Sequence, residues 1–580
     1  MLKVVSRVAL GLLAVAGMHQ VAAAQATSST ALLSVNESPP TLPNSVTTVA
    51  PTPTLVAQVP MAATPGSCVG VSPYDNYSCL DTYLGDGFFE RLYNYYKLEW
   101  GQAGPPTDPN APPGRRADWP RTPATTPPMP FTEWPYGGTQ NLGVTRPNIA
   151  DSPFMNAIGN TSLGAWMNAN NIQFYGWIDP GFNVSSNTVR PGGNAPVAYS
   201  YTPNTVQLDQ LVMYFERVPD TVQEDHIDWG FRLSGIYGEN YRYTTAYGIA
   251  SYQLLKNNQV NGYDFPMVYA DFFFPQLAPA GMLLRIGRFI SLPDIEAQLA
   301  PNNYMYSHSM TYSFDNYTNE GIQTTWGLTK NFFLQLGLVS GTEAPPWHMY
   351  QTIPNPDPNP LYPDSTMRKD PGSMPSGTGC FRMNWNDGWD NINGCADAIN
   401  SGTWGYNNLQ WYGLTAYHRF NEDWHISFEL YDEHQNHVPN LNNPIALAAV
   451  AGGGTPFSPQ YMPFNAPDLA NCNNPNVISC KAEALGTVFY LNYQISPLDN
   501  LSFRPEFYND MEGQRTGTKA RYWDVGIGWQ HWLSPQIEFR PEIVYYHSIG
   551  ANAFNGDSNA GIPPTKNYTW IAQSDMIWHF

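Results

Sequence analysis

Three segments set the pattern of this chain. Ile227, Trp229, Phe231 and Leu233 alternate with Asp228, Gly230, Arg232 and Ser234. Trp424, Ile426, Phe428 and Leu430 alternate with His425, Ser427, Glu429 and Tyr431, and Trp523, Val525, Ile527 and Trp529 with Asp524, Gly526, Gly528 and Gln530. A period of two sends successive side chains to opposite faces of a strand, so each segment offers one face to an apolar medium and one to water. The same reading from about Asn171 onward predicts about 14 strands, within a range of about 12 to 16. They fall at 171–185, 205–218, 226–237, 267–275, 282–290, 319–328, 331–340, 409–419, 423–434, 486–496, 500–509, 521–531, 536–547 and 567–580. Many approach the roughly nine to eleven residues that a tilted strand needs to cross a bilayer.

The connections alternate as well. Long ones at 186–204, 238–266, 291–318, 341–408, 435–485, 510–520 and 548–566 are separated by short ones such as 219–225, 329–330 and 532–535. A membrane barrel with both chain ends in the periplasm has this regularity, with short periplasmic turns and long external loops, whereas a soluble sandwich has no reason for it. The expected fold is therefore all-β: a transmembrane antiparallel up-and-down β-barrel over residues 166–580. The last strand supports it, since Tyr568, Trp570, Ala572, Met576, Trp578 and Phe580 share one parity and Thr569, Gln573, Asp575 and His579 the other. An apolar parity ending on Trp578 and Phe580 resembles the signal by which barrel-assembly machinery recognises its clients.

Upstream the pattern differs. Lys3 and Arg7, the apolar stretch Val8 to Met18 and the small residues Ala22 to Ala24 read as a signal peptide over 1–26, cut after Ala24 or Ala26. Residues 27–165 form a Pro-rich periplasmic extension, with Pro105, Pro106, Pro109, Pro112 and Pro113 in its densest part. Within it, 81–100 predicts one short helix with Leu84, Phe88, Leu92 and Tyr95 on a common face. Beyond the leader no run of about 18 apolar residues occurs, which excludes a helical span. The mean hydropathy of −0.36 suits strands that show lipid only every second residue.

Phe174-Tyr175-Gly176-Trp177 opens the first strand and Gln207-Leu208-Asp209-Gln210 the second, and with these motifs the chain resembles the OmpL-like β-barrel porins, the second β-barrel porin family. The resemblance rests on these two, on Tyr214-Phe215-Glu216-Arg217-Val218, to which the second leads, and on Gly287-Arg288-Phe289. It continues through Asn302-Asn303-Tyr304, Tyr306-Ser307-His308-Ser309 and Asn319-Glu320-Gly321-Ile322. It covers about 171–340 well and the C-terminal half mainly by pattern. It implies an outer-membrane porin-like barrel and brings no catalytic or ligand-binding residues with it.

The 36 Tyr, 18 Trp and 27 Phe would furnish two interfacial girdles. The net charge of −20 argues against nucleic acid as a partner. The expected partners are outer-membrane lipid, the assembly machinery and small hydrophilic solutes, with a homotrimer one assembly open to the chain. The string Phe-Arg-Pro-Glu occurs at 503–506 and 539–542, so Arg504, Glu506, Arg540 and Glu542 share the inward parity. Asp228, Arg232, Arg285, Glu429 and Asp524 join them as pore-lining candidates, because an arginine facing mid-bilayer lipid costs roughly 2–4 kcal/mol. They could set a transverse field across the pore or tie the wall together as salt bridges.

Six cysteines form close pairs in an exported chain: Cys68 with Cys79, Cys380 with Cys395, and Cys472 with Cys480. They predict disulfides, the last two inside the longest external loops. No metal or cofactor is expected, and His434 and His437 read as solvated loop residues. No Gly-x-Ser-x-Gly elbow or His-Glu-x-x-His helix occurs. The expected function is a passive outer-membrane diffusion channel and not an enzyme. The alternatives are a barrel-scaffolded lipid or glycan hydrolase, or a structural or adhesive surface protein with a plugged lumen.

Overall fold

A computed structural model describes residues 68–101, 152–349, 374–447 and 469–580, apart from a few positions inside these ranges. The expected leader and most of the Pro-rich extension lie outside the described residues. Sixteen antiparallel strands follow one another in chain order, and the last pairs with the first, closing a barrel. They are β1 (Ile172–Ser185), β2 (Val206–Arg217), β3 (Asp228–Gly238), β4 (Gly262–Asp264 with Val268–Phe274), β5 (Met282–Ile290), β6 (Thr318–Gly327), β7 (Phe332–Thr342) and β8 (Ser376–Trp385). The circuit continues with β9 (Asp390–Ile399), β10 (Gln410–Arg419), β11 (Trp424–Pro439), β12 (Ser479–Ser496), β13 (Asp499–Asp510), β14 (Ala520–Ser534), β15 (Ile537–Ile549) and β16 (Tyr568–His579). The two halves of β4 both pair with β3 and part at Pro266, which has no N–H to give the ladder.

The count of 16 corrects the expected 14. The hairpin β8–β9 lies inside the stretch read as one long loop over 341–408. On β8 the outward positions begin with Gly377 and Gly379 before Phe381, Met383 and Trp385, so the first two carry no side chain to signal the apolar parity. Elsewhere the alternation sorts as the pattern required. Trp229, Leu233, Trp523, Ile527 and Trp529 are exposed on the outer wall, while Arg232, Ser234, Asp524 and Gln530 are buried inside.

Closure relies on the chain's last residue. Phe580 exchanges backbone hydrogen bonds with Gly176 at 2.8 and 3.0 Å, and its ring lies beside Phe174. A Cβ on Gly176 would stand 2.0 Å from the Val212 carbonyl oxygen and 2.7 Å from the Phe580 ring, so the seam needs glycine there. Trp578 faces outward on the same strand.

The single helix expected over 81–100 is two, α1 (Leu80–Leu84) and α2 (Phe88–Lys97), parted at Gly85 with φ of +86°. Leu84 and Tyr95 are buried as the common face required, but Phe88 is exposed. Two further helices, α3 (Pro153–Ile158) and α4 (Ser162–Ala169), begin at Ser152 and Thr161, whose hydroxyls accept from Met155 N and Gly164 N. The helices sit at the rim with the short turns, where Arg91 donates to the Asn156 carbonyl and Tyr96 to that of His579. Burial, with Tyr95 adding to it, pushes the Tyr96 phenol up to about 12.

Candidate functional site

The connection from β5 to β6 turns into the barrel instead of over it. Among its described residues, every side chain from Asp294 to Tyr317 is buried. The loop carries its own scaffold. Asn303 bridges Ala297 N at 2.8 Å, Ala297 O at 2.7 Å and Leu299 O at 3.0 Å. The Ser309 hydroxyl accepts from Tyr312 N, starting the one-turn helix α5 (Met310–Ser313), and Glu296 accepts from Ser309 N at 3.0 Å. Buried backbone needs such partners, and here the loop's own Asn, Ser and Glu provide part of them.

The wall provides the rest. From β2, Gln210 donates to Gln298 O at 2.7 Å and accepts from Ala300 N at 3.1 Å, while Asp209 accepts from the Tyr306 hydroxyl at 2.9 Å. From β11, Glu429 accepts from Ile295 N at 2.9 Å and Tyr431 donates to Thr311 O at 2.6 Å. From β13, Arg504 donates to Ser307 O at 2.6 Å and pairs with Glu296, and Glu506 accepts from Met310 N at 2.8 Å and Thr311 Oγ1 at 2.6 Å. From β15, Arg540 donates to Asn303 O at 2.9 Å and Glu542 takes the Ser307 hydroxyl. On β9, Asp397 accepts from Asn316 at 2.8 Å. The loop is thus held from opposite sides of the barrel and crosses its lumen.

Of the two Phe-Arg-Pro-Glu strings, the second also ties the wall as the salt-bridge reading expected, Arg540 pairing with Asp575 of β16. The Arg and Glu of both face inward but neither make a free transverse field nor merely tie wall to wall; all four grip one loop. The other candidates divide. Arg232 pairs with Glu216 at 2.6 Å, and Arg285 makes a bidentate pair with Asp271 at 2.8 and 2.7 Å, so both are wall ties. Asp228 lies at the short-turn rim, paired with Arg217 and accepting from Asp220 N, away from the loop. Both oxygens of Asp524 are buried without a hydrogen-bond partner.

All three cysteine pairs are bonded. Cys472–Cys480 brackets the end of a long connection, but Cys380 and Cys395 are register partners on β8 and β9 and face inward, which corrects their placement in an external loop. His434 lies 3.8 Å from Asp432, and the two belong to no group of three such side chains among the described residues. Sequence reasoning missed Asp294, Glu296, Asp315, Asp209, Gln210, Tyr431 and Tyr490, because only the inward turn of the loop joins them to the site. Burial, with Glu296 and Asp397 adding like charge, pushes the Asp294 carboxyl up to about 7, and burial beside Asp294 and Glu429 pushes Asp315 well up. Burial holds His308 well below its ordinary value, hence neutral.

The family described as Putative beta-barrel porin-2, OmpL-like, matches residues 171–573. The chain belongs to that family. Membership makes it a porin-like barrel of the outer membrane and points to a channel rather than an enzyme. No curated protein matches the chain. Solved structures similar to this OmpL-like chain include the outer membrane channel DcaP of Acinetobacter baumannii, 9% identical over 70% of this chain and 97% of that one, with a TM-score of 0.39. An anion-selective porin from Comamonas acidovorans is 10% identical over 70% and 99%, with a TM-score of 0.39. The in-vitro folded trimer form of OmpT from Vibrio cholerae is 9% identical over 70% and 99%, with a TM-score of 0.37.

Proposed function

We propose that the chain is a channel for passive diffusion of small hydrophilic solutes, with its aperture set by the inward loop. The observation that carries this is the set of clamps from β2, β9, β11, β13 and β15 onto one loop across the lumen. Sixteen strands enclose more room than side chains alone fill, which is the regime in which barrels hold an aqueous path. A loop fixed across that path narrows it without closing the wall. The surplus of 47 acidic over 27 basic residues favours cations and neutral solutes over anions.

The long loops face the exterior in this reading, and the short-turn rim with its helices faces the periplasm. Solute would enter past Tyr199 and Tyr243 of the long connections, which stack on each other and meet His308 and Tyr317 of the loop. The first experiment is conductance of the folded chain in a planar bilayer beside Glu506→Ala. Discrete, cation-preferring steps in the wild type and larger steps in the variant support the reading. Absence of steps from protein that migrates as a folded barrel would refute it. Light scattering on the same preparation decides whether the barrel is a homotrimer.

A further inference from the structure

Three acids meet at the neck of the inward loop. Asp294 opens its described part, Asp315 lies near its end, and Glu429 projects from β11. One oxygen of each lies within 4.8 Å of the other two. Three points so spaced share a centre no more than about 2.8 Å from each, close to the roughly 2.3–2.6 Å at which calcium takes oxygen ligands. The side chains are only 4%, 2% and 1% exposed.

Each of the three acids also carries a buried oxygen short of donors. Asp294 Oδ1, Asp315 Oδ2 and Glu429 Oε1 are buried and meet no donor from outside the cluster, Asp294 lying within hydrogen-bond reach of Asp315 and Glu429. Other acids on the same loop and wall are supplied: Glu296 by Ser309, Tyr490 and Arg504, and Glu506 by Met310, Thr311 N and Thr311 Oγ1. The charges that act most strongly on the three are again acidic, namely Glu296, Asp397, Glu433, Glu506 and one another. The nearby cations are engaged, Arg504 with Glu296 and Arg515 with Glu433 and the Phe314 carbonyl. A bound cation would supply the counter-charge that desolvated carboxylates lack when ionised; without one, buried acids take up protons instead.

We propose that Asp294, Asp315 and Glu429 bind one hard divalent cation, calcium or magnesium, which staples the neck of the inward loop to β11. An all-oxygen donor set selects these ions over zinc or copper, which favour nitrogen and sulfur. Two ligands come from the two ends of the loop and one from the wall, so the ion closes the loop and anchors it at once. Removing it leaves three acids at the neck with no ion to bridge them, and the loop loosens there. The binding stands by itself, whereas its effect on conductance rests on the channel reading.

The test uses the full chain, folded in detergent, stripped with EDTA and titrated by calorimetry with calcium chloride and separately with magnesium chloride. One saturable site per chain is expected with at least one ion, weakened at least tenfold by Asp315→Asn and by Glu429→Gln. Asp225→Asn, an exposed acid in the turn before β3, leaves it unchanged, and heat-modifiable gel mobility shows that each variant is folded. No saturable site in the wild type for either ion, or binding undiminished in both folded variants, overturns the proposal. In bilayers, EDTA is expected to make wild-type currents larger or noisier, reversed by calcium and absent in Asp315→Asn. Calcium binding without that response overturns the gating part alone, and binding without any conductance contradicts the channel reading while the ion site stands.

Discussion

Glu506 and Arg285 show how two buried charged residues on the same inner wall can have unlike consequences. Glu506 accepts from two consecutive backbone N–H groups and a hydroxyl of the loop, so Glu506→Ala leaves buried donors unmet at a cost of about 1–3 kcal/mol each. The loop is expected to shift and conductance to rise, as single-channel recording would show. Arg285 pairs with Asp271 of the neighbouring strand, with the Tyr269 ring 3.9 Å from the guanidinium carbon. Arg285→Ala strands a buried carboxylate, with a loss of about 3–5 kcal/mol. It should lower the temperature at which the barrel loses its compact gel mobility while leaving the step size near wild type. An equal change in step size from both variants would deny the distinction. Sequence parity told which residues point inward, but not which meet the loop, because partners such as Glu506 and Met310 are separated by nearly two hundred positions.

Among the elements, the hairpin β8–β9 was the least legible and the Phe-Arg-Pro-Glu strands the most. Glycines on the outer parity of β8 removed the alternation that revealed β13, where Leu501, Phe503 and Phe507 face out between Ser502, Arg504, Glu506 and Tyr508. The disulfide between Cys380 and Cys395 reinforces a pairing that the ladder already fixes, with Gly394 opposite Phe381 and Asn393 opposite Arg382. It closes a loop with a sequence separation of 15, for which chain entropy allows about 3 kcal/mol. Cys380→Ala with Cys395→Ala should therefore give a barrel that still assembles but denatures at lower temperature or denaturant concentration. Failure to assemble would show that the bond is needed for the hairpin to form. At the other rim, Tyr96→Phe removes one hydrogen bond to the last strand, worth about 0.5–1.5 kcal/mol. Faster proteolysis of the segment 80–101, with conductance unchanged, is the expected result.

For the whole molecule, the sequence carried the barrel because lipid and water impose a period of two wherever a strand crosses the membrane. It carried the two rims because short and long connections alternate. It could not carry the inward loop, whose Asn302-Asn303-Tyr304 and Tyr306-Ser307-His308-Ser309 are polar in the way any exposed loop is polar. Only the closed wall supplies the Gln210, Glu429, Arg504 and Arg540 partners that let such a segment lie buried. On the channel reading, this segment sets the aperture of a passive path. The most direct measurement is single-channel conductance of the full chain beside one in which 295–314 is replaced by a short Gly-Ser linker, both shown to be folded by heat-modifiable mobility. Discrete steps are expected in the wild type, and steps about twofold larger or more in the loop-replaced chain. Equal steps in the two, or none in either, would contradict that reading.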